Sequence, residues 1–204
     1  MATSPAKENI LKKIRQALSN PVPLPFPQSE GATSVFHPAT DDTEVVFAQE
    51  FTKLLGKFAF CTDEKDMQQQ VKQLIAEKEW TKIYCCEDKW NAVFSNTTDL
   101  PSCDASITGC EYLVARTGTI VLSAAQQSGR TVSVYAPVHI CIAYTDQLVY
   151  DIRDALQSLK EKYGANIPSS ISFATGPSRT ADIEKTLVTG VHGPKEVYCF
   201  LVES

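Results

Sequence analysis

Residues Ile171–Val202 read ISFATGPSRTADIEKTLVTGVHGPKEVYCFLV, and the alternation of apolar runs and breakers in this stretch sets the fold class. Ile171 to Ala174 and Val197 to Val202 are runs of strand length, rich in β-branched and aromatic residues. Between them Gly176-Pro177 ends the first run. Ser178 and Thr180 then offer N-cap hydroxyls, and Asp182 and Glu184 fall where a helix dipole favours acids, so the pattern predicts a helix from Ser178 to Glu184. His192 follows in a loop bounded by Gly190 and Gly193-Pro194. A strand, turn, short helix, loop and strand in this order is a building block of an α/β sheet. The free amides of a helix start attract anions, and Arg179 beside them strengthens such a site for a carboxylate or phosphate, with His192 facing the same crevice. The same residues also make an ordinary capped helix in which Arg179 pairs with Asp182.

The same grammar runs through the first half of the chain. Asp41-Asp42 starts a helix with Val45, Phe47, Ala48, Phe51, Leu54 and Leu55 inward, stopped at Gly56. A strand at Phe58 to Cys61, a helix at Asp63 to Lys78, a strand at Lys82 to Cys86 and a helix near Lys89 to Phe94 follow. Strand, helix, strand, helix predicts a parallel layer buried on both faces. Downstream the chain is richer in strands, predicted at Leu113 to Ala115, Thr119 to Leu122, Val132 to Tyr135 and Ile140 to Tyr144. Asp146 to Tyr163 then reads as a helix with Leu148, Ile152, Ala155, Leu156 and Leu159 inward.

Residues 1–27 stand apart. Ser4-Pro5 opens a helix whose Ile10, Leu11, Ile14, Ala17 and Leu18 form a stripe opposite Lys12, Lys13 and Arg15. It ends before Pro21-Val22-Pro23-Leu24-Pro25-Phe26-Pro27, an alternation that excludes helix and predicts an extended linker. Residues 28–204 then form a single α/β domain. The apolar stripe needs cover, from the domain, from a partner or from a second copy in a homo-oligomer.

Composition narrows the function classes. The 204 residues are 43% hydrophobic and 21% charged, which suits an ordinary globular domain, and the formal net charge of -5 gives no bulk attraction to nucleic acid or anionic membrane. No run approaches the ~20 apolar residues of a membrane span, and the N-terminus lacks the apolar core of a signal peptide, so a cytoplasmic protein is expected. Seven cysteines (Cys61, Cys85, Cys86, Cys103, Cys110, Cys141 and Cys199) form no C-x-x-C pair, so neither a zinc site nor an iron-sulfur cluster has its usual ligand spacing. With no G-x-G-x-x-G or flavin fingerprint either, no bound cofactor and no metal are expected.

The ungapped motifs Gly176–Glu184 and Gly190–Pro194, with Thr117-Gly118-Thr119, Arg130 and Pro137-Val138-His139 upstream, closely resemble the lactate-utilisation protein C family, whose domain is called LUD. The resemblance is strong over the C-terminal half and general over the rest. It implies an α/β three-layer architecture, a mainly parallel sheet flanked by helices, like the ribose-phosphate isomerases and coenzyme A transferases, with a ligand crevice at the strand ends. It further implies a cluster-free accessory subunit of a cytoplasmic system that oxidises L-lactate to pyruvate beside separate iron-sulfur subunits, holding a small organic anion or an anionic cofactor. Two other roles stand beside it: a stand-alone isomerase or transferase using the same pocket, and a non-catalytic assembly scaffold in which the pocket holds no ligand.

The candidate residues lie within those motifs. His192, His139 and Asp182 are the candidate catalytic residues, and Thr117, Gly118, Thr119, Arg130, Gly176, Ser178, Arg179 and Thr180 are the candidate ligand-binding set. Two arginines and two histidines together make a cationic pocket suited to a carboxylate or phosphate. Thr117-Gly118-Thr119 either lets its backbone approach a ligand or makes a bulge. Where the family pattern often carries an acid, this chain has Arg116, which adds positive charge to such a crevice.

Overall fold

The computed structural model describes residues 5–19, 41–180 and 188–204. The chain divides into two units, residues 1–38 and 39–204. In the first, α1 (Pro5–Leu18) carries exposed Ile10, Leu11 and Ile14. The expected cap at Ser4, the proline-alternating linker and the boundary after residue 27 lie outside the described residues.

The second unit begins with α2 (Thr43–Lys53), β1 (Lys57–Cys61), α3 (Glu64–Glu77), β2 (Ile83–Cys85), α4 (Asp88–Phe94) and β3 (Ala105–Thr108). It continues through β4 (Tyr112–Val114), β5 (Thr119–Ser123), α5 (Val132–Tyr135), β6 (Val138–Tyr144), β7 (Leu148–Val149) and α6 (Ile152–Tyr163). It closes with β8 (Ile171–Ala174), β9 (Arg179–Thr180), β10 (Val188–Thr189) and β11 (Glu196–Val202). Local signals start two of the helices, α3 where the sequence predicts it and α6 later than expected. Asp63 caps α3 by accepting from the Asp66 N–H at 2.8 Å. Asp151 and Asp154 form a reciprocal capping box on α6.

Five strands form a parallel sheet in the order β1-β11-β6-β3-β2. Ile83, Ala105, Ile107, Ile140, Ile142, Phe200 and Val202 face Met67, Val71, Trp90 and Phe94 of α3 and α4. The opposite face presents Cys141, Ala143, Val197, Cys199 and Leu201 to Phe47 and Phe51 of α2 and to Leu113, Ala115, Ile120 and Leu122. Of the latter, Leu113, Ile120 and Leu122 belong to a four-stranded mixed sheet, β7-β4-β5-β8, whose far side packs Val114 and Val121 on Ala155 and Leu159 of α6. The α/β class and the helix-flanked parallel sheet are as expected, and part of one flanking layer is a second sheet. Six of the seven cysteines are buried and all are unpaired as disulfides.

Three local expectations are corrected. Val132–Tyr135 is a single helical turn, not a strand, and lies on the sheet with the Ser106 hydroxyl donating to the Val132 carbonyl at 2.8 Å. The helix expected from Asp146 begins at Ile152, because Leu148–Val149 first extends the mixed sheet beside β4. Most consequential for the site, Arg179–Thr180 is a strand paired antiparallel with Val188–Thr189, where a helix start was expected. The rest of that expected helix, with Asp182 and Glu184, lies outside the described residues.

Candidate functional site

The parallel strands β6 and β11 enter the sheet through proline turns, and these turns build the candidate site. The Lys195 N–H donates to the Pro137 carbonyl at 2.8 Å, which ties the two entrances together. Ser178 is held between them: its N–H donates to the Pro194 carbonyl and its carbonyl accepts from the Gly190 N–H, both at 2.9 Å. A Cβ on Gly193 would lie 3.0 Å from that of Ser178, so the loop carrying His192 closes tightly over the serine. The result is a cavity of about 240 Å³ whose lining includes His139, Ser172, Gly176, Ser178 and His192. A wider hollow of about 540 Å³ adjoins it, shares His192 and Gly193, and extends to Tyr135 and Lys195.

Its two histidines differ in kind. His192 is exposed in its loop. His139 is buried on β6, and burial pushes its imidazole down to about 4. The ring is therefore neutral at pH 7. Its Nε2 lies 2.8 Å from the Thr108 hydroxyl, which also has the Gly109 carbonyl at 2.9 Å. With the single hydroxyl proton directed to that carbonyl, His139 donates from Nε2 and holds its tautomer fixed.

The structure brings His139, Gly176, Ser178 and His192 to one cavity and places the other candidates differently. Arg179 is exposed on β9, at a strand and not beside helix-start amides. Arg130 is exposed and donates to the Ser169 hydroxyl. Thr117 ends a single 3-10 turn, Gly118 follows with φ 56°, and a Cβ there would lie 2.4 Å from the Phe51 nitrogen. The threonine hydroxyls form a chain, Thr117 to Thr119 at 2.7 Å and Thr119 to Thr175 at 2.9 Å. This motif is thus a packed joint between α2, β5 and the end of β8. Gly176 has the same role, since at φ 79° its Cβ would lie 2.5 Å from the Leu54 carbonyl oxygen. Arg116 is committed to Asp151, whose carboxyl is held below its usual range by the Arg153 N–H and then by this guanidinium. The expected cationic pocket is therefore corrected to a largely apolar cavity with neutral His139, three serines and one exposed histidine.

A second crevice, of about 380 Å³, opens at the opposite edge of the sheet, past the carboxyl ends of β2, β3 and β6. Its walls include Glu87, Lys89, Trp90, Gly109, Glu111, Tyr144 and Lys162, none of which stood out as a site residue in the sequence. Glu111 is almost wholly buried there. Burial raises its carboxyl, but hydrogen bonds from Lys162 (2.7 Å), Ser123 (2.5 Å) and Tyr163 (2.6 Å) outweigh that and hold it below the usual range. Among the described residues no group of three or more His, Cys, Asp or Glu side chains is placed to hold a metal ion, and no helix is long and apolar enough to cross a membrane.

This architecture and sequence have known counterparts. A solved structure of a DUF162 family protein from Deinococcus radiodurans shares the fold with a TM-score of 0.60 at 17% identity, over 78% of this chain and 96% of that one. Lactate utilization protein C of Bacillus licheniformis is 35% identical over 129 residues, 61% of this chain and 52% of that protein. Its counterpart in Halalkalibacterium halodurans is 40% identical over 101 residues, 48% of this chain and 44% of the other. The uncharacterized protein NMB1437 of Neisseria meningitidis is 34% identical over 111 residues, 54% of this chain and 45% of its own. The chain thus spans about half the length of the curated relatives it matches. The model of the LUD domain matches residues 94–202, more than half of the chain and every residue of both crevices from Gly109 onward. The chain belongs to the LUD domain family.

Proposed function

We propose that this chain serves lactate utilisation as a subunit that binds a small organic anion, within a cytoplasmic assembly whose separate iron-sulfur subunits carry the electrons. The relatives named Lactate utilization protein C support the process. The observation that carries the binding role is the convergence of His139, Ser178 and His192 on one cavity at the amino ends of β6 and β11. The Ser178 hydroxyl and a ring N–H of His192 favour a ligand whose oxygens accept hydrogen bonds, and the apolar walls favour a short carbon body. A 2-keto acid has both features.

Calorimetric titration with pyruvate tests this. His192→Ala is expected to weaken binding by roughly tenfold, the worth of one hydrogen bond to a charged group, and to leave stability within about 0.5 kcal/mol because the loop side chain is exposed. Equal affinity in the variant and the parent protein would remove His192 from the site.

The exposed stripe of α1 supports a further part of the proposal, that the N-terminal unit mediates self-association or partner binding. Deleting residues 1–27 is expected to lower the association state in light scattering while the cooperative thermal transition persists. Loss of that transition would make the helix part of the folding core.

A further inference from the structure

We infer that the histidine cavity and the hollow beside it form one elongated site for a 4-hydroxyaryl carboxylate, with the carboxylate at the mouth and the phenol hydroxyl on His139 at the inner end. The inference starts from the unused nitrogen of His139. Its ring makes one hydrogen bond among the described residues, from Nε2 to the Thr108 hydroxyl, so Nδ1 carries no hydrogen and can only accept. Among the described residues, the side-chain atoms both unpartnered and shut off from solvent are Glu87 Oε1 and Trp90 Nε1, and Nδ1 is not one of them. It therefore keeps a sliver of accessible surface on a side chain only 1% exposed, and the space that His139 borders is this cavity. A buried polar atom left unmatched is rare and destabilising. An acceptor at the inner end calls for a ligand that brings an un-ionised O–H or N–H.

The rest of the lining decides what carries that donor. Leu122, Val134, Ala174 and Val197 make the cavity walls apolar, and the space of about 240 Å³ between them is far more than a methyl group fills. The adjoining hollow of about 540 Å³ continues past His192 to Lys195 and to Tyr135, which is 61% exposed. Among the described residues neither lining contains an Asp or Glu, and Lys195 is the one permanent charge in either, in a chain whose formal net charge is -5. The site is thus polarised, with a cation and exposed donors at the mouth, apolar walls between, and a neutral acceptor at the inner end. An anionic group gains at the mouth and loses at the inner end, where its lone pairs would face that of Nδ1. A ring between carboxylate and hydroxyl fills the walls, holds the two ends apart and gives up little rotamer freedom on binding. A phenol is such a ring with its donor attached. An aliphatic hydroxyl would also bond Nδ1 but would leave the walls without partner atoms.

This rests on the 2-keto acid reading above only for the carboxylate end, at Ser178 and His192, with the ring standing where pyruvate has its methyl. The probes are 3-(4-hydroxyphenyl)propionate, its O-methyl ether and 3-phenylpropionate, titrated calorimetrically into the full chain. The ether keeps the oxygen and loses the donor. The hydroxyl compound is expected to bind at least tenfold more tightly than either analogue, because both analogues leave Nδ1 unmatched. His139→Leu is expected to erase that preference, whereas Lys195→Met weakens all three probes alike by roughly threefold, the effect of one exposed charge. The comparison of the three probes needs no variant, so the test stands should His139→Leu fold poorly. Equal affinity for the hydroxyl compound and its ether, no saturable binding of the hydroxyl compound, or a hydroxyl preference that survives His139→Leu would each overturn the assignment. If pyruvate binds through His192 while the aryl acids do not bind, the keto acid reading stands and this one falls. Aryl acids that behave as expected beside a silent pyruvate keep this site and remove the keto acid.

Discussion

Replacing Gly118 by alanine is expected to destabilise the protein by on the order of 3 kcal/mol, lowering the unfolding midpoint by roughly 6–12 °C for a chain of this size. Two effects add. At φ 56° and ψ 44° the residue sits in the left-handed region, which costs a side-chain-bearing residue about 1–2 kcal/mol. The added methyl would also lie 2.4 Å from the Phe51 nitrogen and 2.7 Å from its Cα. Those are backbone atoms of α2, so no side chain can swing aside, and overpacking of this sort costs about 1–3 kcal/mol. Gly129→Ala is the control, since its φ is 59° but nothing lies within 4 Å of the new methyl. It isolates the backbone cost. A Gly118→Ala protein that unfolds like its parent but loses anion binding would return Thr117-Gly118-Thr119 to the ligand site. A protein that unfolds early confirms the packed joint.

The parts of the fold legible in the sequence were those governed by local signals. The segment from Lys57 to Phe94 alternates short apolar strands with helices, of which α3 carries its own cap, so its periodicity survived into the structure. Elsewhere a distant partner decided. Val132-Ser133-Val134-Tyr135 has strand chemistry, yet four residues between Thr131 and Pro137 lie across the sheet as a helical turn bonded to Ser106. Ala105–Thr108 is a central strand too short and too poor in large apolar residues to announce itself. The caps proposed at Ser178 and Thr180 had the right residues, but the Ser178 amide is taken by Pro194, sixteen positions on, and the chain continues as a strand. The histidine cavity was legible as a set of residues because the loop motifs carry it. The carboxyl-edge crevice was not, because its walls, from Glu87 to Lys162, meet only once α4 and α6 have packed.

Between pH 7 and pH 4 the protein is expected to lose about 3 kcal/mol of stability through His139 alone. Burial holds this imidazole at about 4 in the folded protein, against an ordinary value of 6.5. A depressed folded value means that the unfolded chain binds the proton first. The contribution is therefore fully present above pH 6.5, declines as the pH falls below it, and is gone once the pH drops through about 4, where the folded imidazole also charges. The buried carboxylates act in a lower range, because Glu111 and Asp151 are both depressed and lose their contribution only as they protonate. Urea unfolding at intervals across this window checks the prediction, with His139→Gln as the comparison. The variant removes the titration while keeping a group able to bond Thr108, so its stability is expected to be nearly flat from pH 6.5 to 4.5. An undiminished slope would place the titrating group elsewhere. The same physics limits what the cavity can hold at neutral pH: with Nε2–H given to Thr108, a ligand against His139 meets a neutral acceptor, not a cation. The binding of an anion is then set by hydrogen-bond geometry at Ser178 and His192, and a ligand that instead drew a proton onto His139 would reveal itself by proton uptake on binding, measured as a buffer-dependent heat.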